Sequence, residues 1–247
     1  MIPGMPEHMY ERSARIYDLL YVGTGIKDYE AETAELRRII EESNPAARTL
    51  LDVACGTGAH LAELSRWYEV EGADISPAML AVARARVPGI PLHQADMRTI
   101  DLGKAFDAVI CLFSSIGYVT DPSEMRSTVA RLAAHVAPGG VLILDGWVRP
   151  DEWREGYRPE PEIARDDEVT VVRLAASRRE GNITELDMHH VVQTAAGVEY
   201  FVERHRLALT PTEDYVAAVE SAGLVARVMP DYMSGRDRIV GLRTAGR

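Results

Sequence analysis

Thiols, lysines and long apolar runs are all scarce in this 247-residue chain. Its two cysteines, Cys55 and Cys111, each sit inside an apolar run and are too few for a disulfide framework or a four-thiolate zinc site. A reducing, cytoplasmic setting is therefore expected. Lysine occurs only as Lys27 and Lys104, so arginine carries almost all positive charge and its abundance alone marks no site. Basic residues number 27 against 38 acidic ones, a net charge of −11, which excludes broad attraction to nucleic acid or anionic lipid. An anionic ligand must be met by individual side chains. No apolar run is long enough to span a bilayer, and residues 1–18 carry Glu7, His8, Glu11 and Arg12 where a secretory signal would be basic and then apolar.

What is present is an ordinary globular composition, 47% hydrophobic and 26% charged, at a length suited to one large domain. From residue 49 onward, short apolar runs alternate with amphipathic stretches, the pattern of a parallel sheet covered by helices. Strands are predicted at 49–54, 69–73, 91–94, 107–112 and 141–145, with helices at 60–67, 77–86 and 122–137. Pro138-Gly139-Gly140 serves as the turn that ends the last of these helices. Upstream, residues 28–43 space Ala31, Ala34, Leu36, Ile39 and Ile40 as one helical face.

Beyond Asp145 the rhythm changes to three longer strand-like runs, 168–179, 183–193 and 198–209, joined by short glycine-containing connections. They predict an antiparallel meander. Thr210-Pro211-Thr212-Glu213 predicts a helix capped by Thr210 and ending at Gly223, before final strands at 224–229 and 238–242. The expected fold is α/β, a seven-stranded Rossmann-like sheet with the meander inserted. Residues 1–247 form one domain, 1–46 supplying a helical part of the site and 147–209 an inserted lid or dimer element.

The run Leu51-Asp52-Val53-Ala54-Cys55-Gly56-Thr57-Gly58 carries an apolar strand into a Gly-x-Gly turn at the start of a helix. Glycine there lets the backbone turn sharply and approach a ligand. A dinucleotide fold would place a third glycine where Leu61 stands, and no phosphate loop of the Gly-Lys-Ser/Thr type occurs. Asp52 suits an amino group better than a phosphate. The next strand ends at Asp74, about twenty residues on, where a carboxylate accepts both hydroxyls of a ribose. Asp96 follows the third strand and can accept from an adenine amino group. Three acids at three consecutive strand ends imply an adenosine bearing an amine.

With these residues, and Pro138-Gly139-Gly140 before the fifth strand, the segment 50–144 resembles the class I S-adenosylmethionine-dependent methyltransferases. The resemblance implies S-adenosylmethionine as cofactor. It places Gly56 and Gly58 around its methionyl part, Asp74 on the ribose, and Ile75 and Met97 on either side of the adenine; Tyr17, Asp52, Ala54, Asp96 and Leu112 complete the expected cofactor-binding residues. Over nearly the whole chain the sequence also resembles the N,N-dimethyltransferases of nucleotide-linked amino-deoxysugars, through Ile16-Tyr17-Asp18-Leu19-Leu20-Tyr21, Phe113-Ser114-Ser115-Ile116-Gly117-Tyr118, Arg179-Glu180-Gly181-Asn182 and Ser234-Gly235-Arg236. That implies a dTDP-sugar substrate; the acidic balance and the lack of a basic, aromatic-rich face lead to an expectation of no nucleic-acid partner, and the lack of a long apolar run to one of no membrane partner.

Such a reaction needs a slot for an amine beside the sulfonium methyl, a patch for a diphosphate, and a cover that removes water. Candidate substrate-binding residues are Tyr21, Tyr29, Ser114, Ser115, Tyr118, Trp147, Arg154 and Arg236, with Arg236 the first choice for the diphosphate. Tyr17, Tyr118 and His189 are the candidates for acid or base work at the amine. Asp187 and His189 share a strand face but have no third clustered ligand, so no metal site is expected. The alternatives are methylation of another small acceptor at nitrogen or oxygen, and binding of the cofactor without catalysis.

Overall fold

The structure, a computed structural model, describes residues 10–245. The part of the expected N-terminal element before Tyr10, including Glu7 and His8, lies outside them. A seven-stranded sheet forms the centre, built from β1 (Thr49–Val53), β2 (Glu69–Asp74), β3 (Leu92–Gln94), β4 (Phe106–Cys111), β5 (Val136–Asp145), β10 (Val225–Met233) and β11 (Arg236–Leu242). Its order is β10-β11-β5-β4-β1-β2-β3, parallel from β5 through β3, with β11 and β10 antiparallel. Strands buried on both faces need apolar residues throughout, as Leu50, Leu51 and Val53 of β1 and Val109, Ile110 and Cys111 of β4 supply.

One face of the sheet packs against α5 (Pro122–Ala134) and α6 (Thr212–Ser221), the other against α2 (Tyr29–Ser43), α3 (Ala59–Leu64) and α4 (Pro77–Arg86). The Asp28 side chain caps α2, which buries Thr33, Leu36, Ile39 and Ile40. Ala31 and Ala34, expected on the buried face, are exposed, because the apolar stripe follows Thr33 and Leu36 instead. No third glycine is needed under α3. Gly72 on β2 gives that clearance, since a Cβ there would stand 2.6 Å from the Leu61 side chain.

Pro138-Gly139-Gly140 does not end a helix. Helix α5 stops at Ala134, and the three residues lie inside β5 as a bulge: Phe106 pairs with Val136, whereas Ala108 already pairs with Val141. A Cβ at position 140 would press to 2.7 Å from the Asp107 carbonyl oxygen, so the bulge requires glycine. Thr210 does not cap α6 either. Pro211 occupies the cap position, and the Thr212 hydroxyl donates to Asp237 at 2.5 Å.

The inserted region is a second antiparallel sheet, β6-β7-β8-β9, with β7 (Thr170–Glu180), β8 (Ile183–Thr194) and β9 (Gly197–Ala208) in the predicted meander. The additional edge strand, β6 (Glu162–Arg165), is four residues long and follows Pro159 and Pro161, too short for its alternation to be read. A short helix α1 (Tyr17–Gly23) joins this sheet through a small core of Ile16, Leu20, Ala164, Val171 and Phe201. Thus α1 lies between the meander and the main sheet.

Candidate active site

Five described non-glycine residues take left-handed backbone angles, and four of them, Tyr10, Ala54, Phe113 and Ser114, gather at one cleft. Such strain persists only where the surroundings over-determine it, and it commonly marks a working site. Tyr10, Ala54 and Phe113 line one cavity together with Asp52, Gly56, Lys27 and Tyr118. A second cavity is lined by Ile75, Asp96, Met97 and Arg98. Ala54 and Tyr118 border both, so Tyr118 stands at their junction.

The three acids at the strand ends differ in what they already hold. Asp52 is 2% exposed, and its Oδ2 has no hydrogen-bond partner. Burial, and then the neighbouring Asp74 charge, push its carboxyl well above the usual carboxylate range. Asp74 accepts from the Gly56 amide and from the Ser76 amide, both at 2.8 Å, so this acid also fixes the glycine turn. Asp96 is engaged by the Arg98 guanidinium, Nη2 to Oδ2 at 2.7 Å. Gly56 opens onto the first cavity, whereas Gly58 packs against α4, where a Cβ would lie 3.1 Å from that of Ala83. Leu112 and Ser115 line the first cavity, and the Ser115 hydroxyl donates to the Leu112 carbonyl.

Helix α1 is tied to the glycine turn through Asp18. Its Oδ1 accepts from the Thr57 hydroxyl at 2.9 Å and the Tyr29 hydroxyl at 3.2 Å, while Oδ2 accepts from Arg86 at 2.6 Å. Tyr17 lines the cavity and packs on Tyr21, ring centroids 4.5 Å apart. Tyr21 lines neither of the two cavities. It lies under the Arg173 guanidinium and edge-on to Phe113. Lys27, unassigned by the sequence, is buried with Glu32 at 2.5 Å, and Glu32 also bonds His60. Burial lowers the Lys27 ammonium from its ordinary range.

At the far side, Arg236 stacks on Trp147, 4.2 Å from the ring centroid, and donates to the buried Ser114 hydroxyl at 3.4 Å. It pairs with no carboxylate among the described residues, and burial lowers its guanidinium from the ordinary arginine value. Trp147 is held by its Nε1 donating to Thr184. Two sequence candidates are not brought here. Arg154 is exposed in the loop after Trp153. His189 points to the outer face of the second sheet, where its Nδ1 meets the Tyr200 hydroxyl at 2.7 Å, because alternation along β8 sends His190 inward instead.

Sequence reasoning passed over the inward residues of β9. His205 is fully buried, and its Nδ1 lies 2.8 Å from the Tyr118 hydroxyl, which lies 2.6 Å from that of Tyr10. The signal was the parity of Phe201, Glu203, His205 and Leu207, which alternate with charged Arg204 and Arg206.

A family model described as a methyltransferase domain matches residues 50–140. The dTDP-3-amino-3,6-dideoxy-alpha-D-glucopyranose N,N-dimethyltransferase of Streptomyces fradiae is 41% identical over 231 residues, covering 93% of this chain and 90% of that protein. The chain belongs to the amino-sugar N,N-dimethyltransferase family of class I methyltransferases. Among solved structures, DesVI of Streptomyces venezuelae matches with a TM-score of 0.89 and 39% identity, over 94% of this chain and 98% of that one. CalS10, an S-adenosylmethionine-bound amino pentose methyltransferase from Micromonospora echinaspora involved in calicheamicin biosynthesis, matches at 0.84 and 40%, over 93% and 97%. The cofactor of this methyltransferase is S-adenosylmethionine. The unpartnered buried Oδ2 of Asp52 fits that molecule's ammonium group.

Proposed function

We propose that this methyltransferase N,N-dimethylates the amino group of a dTDP-linked deoxysugar. The observation that carries this reading is Arg236, a half-buried cation with a ring beneath it, a hydroxyl beside it and no carboxylate partner among the described residues. In a chain of net charge −11, such a cation is suited to a diphosphate. Trp147 and Ser114 hold the guanidinium in place. Three curated relatives are named for dTDP-linked amino-deoxysugars that differ in the sugar, and the dTDP group common to those names supports a diphosphate contact at Arg236.

In this reading Asp52 takes the cofactor ammonium, with Tyr17, Ala54, Gly56 and Leu112 around the methionyl chain. Asp74 takes the ribose hydroxyls on the lone pairs left by Gly56 and Ser76. Ile75 and Met97 flank the adenine, and Asp96 accepts from its amino group. Bound there, the cofactor supplies a methyl on a sulfonium, electrophilic enough that a neutral amine needs no strong base. The protein's own contribution is to align the amine and exclude water. Tyr29 belongs to this end of the cleft.

The meander is proposed to serve two ends. Its inner face roofs the cleft through β9. Its outer face exposes Ile163, Leu174, Val191, Tyr200 and Val202, an apolar area suited to a second copy of the chain and hence a homodimer. Two buried free thiols suit a reducing cytoplasm. Among the described residues no helix is long and apolar enough to cross a membrane.

The test is mass spectrometry of a dTDP-linked 3-amino-3,6-dideoxyhexose incubated with enzyme and S-adenosylmethionine. A gain of two methyl groups is expected. Retained cofactor binding with no methyl gain on any amino-sugar nucleotide overturns the acceptor assignment. Sedimentation analysis tests the homodimer, which a monomer at micromolar concentration excludes.

A further inference from the structure

Tyr10, Tyr118 and His205 form a continuous hydrogen-bonded chain that ends in a buried ring. The Tyr10 and Tyr118 hydroxyls are 2.6 Å apart, and Tyr118 lies 2.8 Å from His205 Nδ1. Beyond His205 the chain stops, because Nε2 is buried with no partner. A phenol has one hydrogen to give and two lone pairs. Three proton arrangements satisfy both contacts. In one, Tyr10 donates to Tyr118 and Tyr118 donates to His205. In another, His205 donates to Tyr118 and Tyr118 donates to Tyr10. In the third, Tyr10 and His205 both donate to Tyr118, which then has a free hydrogen and no lone pair. Only in the first two is the Tyr118 hydrogen consumed inside the chain with one of its oxygen lone pairs left over.

That lone pair belongs to a hydroxyl bordering both cavities of the cleft, four residues along the same loop from Ser114, which holds Arg236. Resting on the reaction proposed above, we infer that His205 is a positioning residue: its Nδ1 is unprotonated and takes the Tyr118 hydrogen, which leaves Tyr118 an acceptor toward the cleft, so that a nucleophile must donate an N–H to Tyr118 to be aligned.

The consequence follows from counting hydrogens. A primary amine and its monomethyl product each retain an N–H for Tyr118 and a lone pair for the methyl carbon. In each transfer an N–C bond forms, the C–S bond breaks with its electron pair going to sulfur, and the new ammonium releases one proton to solvent. The dimethylamine has no N–H once neutral, loses its anchor and is not methylated again. His205 also stays uncharged at neutral pH, since burial and the nearby Arg173 hold its imidazole down at about 4. A charged ring would donate to Tyr118 while placing a positive charge beside an amine that must itself be neutral.

The test is a double-mutant cycle on Tyr118→Phe and His205→Phe, read as kcat, KM for the amino sugar, Kd for S-adenosylmethionine and the ratio of mono- to dimethyl product. Each single variant is expected to lower kcat about tenfold or more with cofactor affinity unchanged, and to leave monomethyl product unfinished. The double variant should be no worse than Tyr118→Phe alone. His205→Asn, whose amide reaches the Nδ1 position, should restore kcat, whereas His205→Gln, whose amide reaches only the Nε2 position, should not. That contrast carries the test if His205→Phe does not fold. Multiplicative losses in the cycle, equal rates for Asn and Gln, or a wild-type rate for His205→Phe would each overturn the inference. Absence of methyl transfer by the unsubstituted enzyme with intact cofactor binding instead overturns the acceptor reading on which it rests.

Discussion

The Arg236 guanidinium stacks 4.2 Å from the centre of the Trp147 ring and meets no carboxylate among the described residues. A half-buried cation without a carboxylate partner is open to an anionic ligand. Replacing Arg236 by alanine removes a charge-assisted contact worth about 1.5–3 kcal/mol, so the KM for a dTDP-amino sugar should rise about 10- to 100-fold. Calorimetry should find S-adenosylmethionine affinity unchanged. Lysine at this position should recover only part of the loss, because an ammonium does not reproduce the planar stack on Trp147.

Asp52 should show opposite effects on stability and binding. Its carboxyl is raised by burial and then by Asp74, so the folded cofactor-free protein binds a proton there more readily than the unfolded chain does. By linkage, the ionised group costs stability at neutral pH, and that cost fades as pH falls through the raised value toward the ordinary carboxylate range. Asp52→Asn should therefore raise the melting temperature of the cofactor-free enzyme while weakening cofactor binding by an order of magnitude or more. Parallel losses in melting temperature and affinity would contradict the assignment.

The seven strands of the main sheet were legible because most of them are short, largely apolar runs bounded by turn residues. The acids that close β1, β2 and β3 were legible because their spacing follows from that architecture. What escaped depends on contacts distant in sequence. Asp18 reaches Thr57 and Arg86, and His205 reaches Tyr118, and no local pattern announces either. The misreading of His189 has a definite cause: of two adjacent histidines on β8, one must face outward, and which one depends on register against β7 and β9. The bulge at Gly139-Gly140 was mistaken for a helix end because both need a left-handed glycine.

Asp18 joins α1 to the glycine turn through Thr57 and to α4 through Arg86. Asp18→Ala leaves the partly buried Arg86 guanidinium and the Tyr29 and Thr57 hydroxyls short of an acceptor, at a cost of about 1–3 kcal/mol. Because α1 carries Tyr17 into the cavity, cofactor affinity should fall as well, by less than in Asp52→Asn. Hydrogen exchange should show faster opening of residues 17–23 with the main-sheet strands unchanged.

The two inward histidines of the meander set an acid limit on the enzyme. His190 and His205 are each held at about 4, first by burial and then by Arg173, whose guanidinium is paired with Glu162. The other groups turned toward this region are Glu203, raised by burial, and the Tyr10 and Tyr118 hydroxyls, both raised by burial. An unfolded histidine titrates near 6.5, so between pH 6.5 and 4 the unfolded chain binds more protons than the folded one. Stability is therefore complete above pH 6.5 and is lost as pH falls through that window, by up to about 3 kcal/mol for each ring. The expected record is a melting temperature that drops steadily below pH 6.5 and flattens near 4. His205→Asn should remove about half of that slope while keeping the bond to Tyr118. An unchanged slope in this variant would show that the acid sensitivity arises elsewhere.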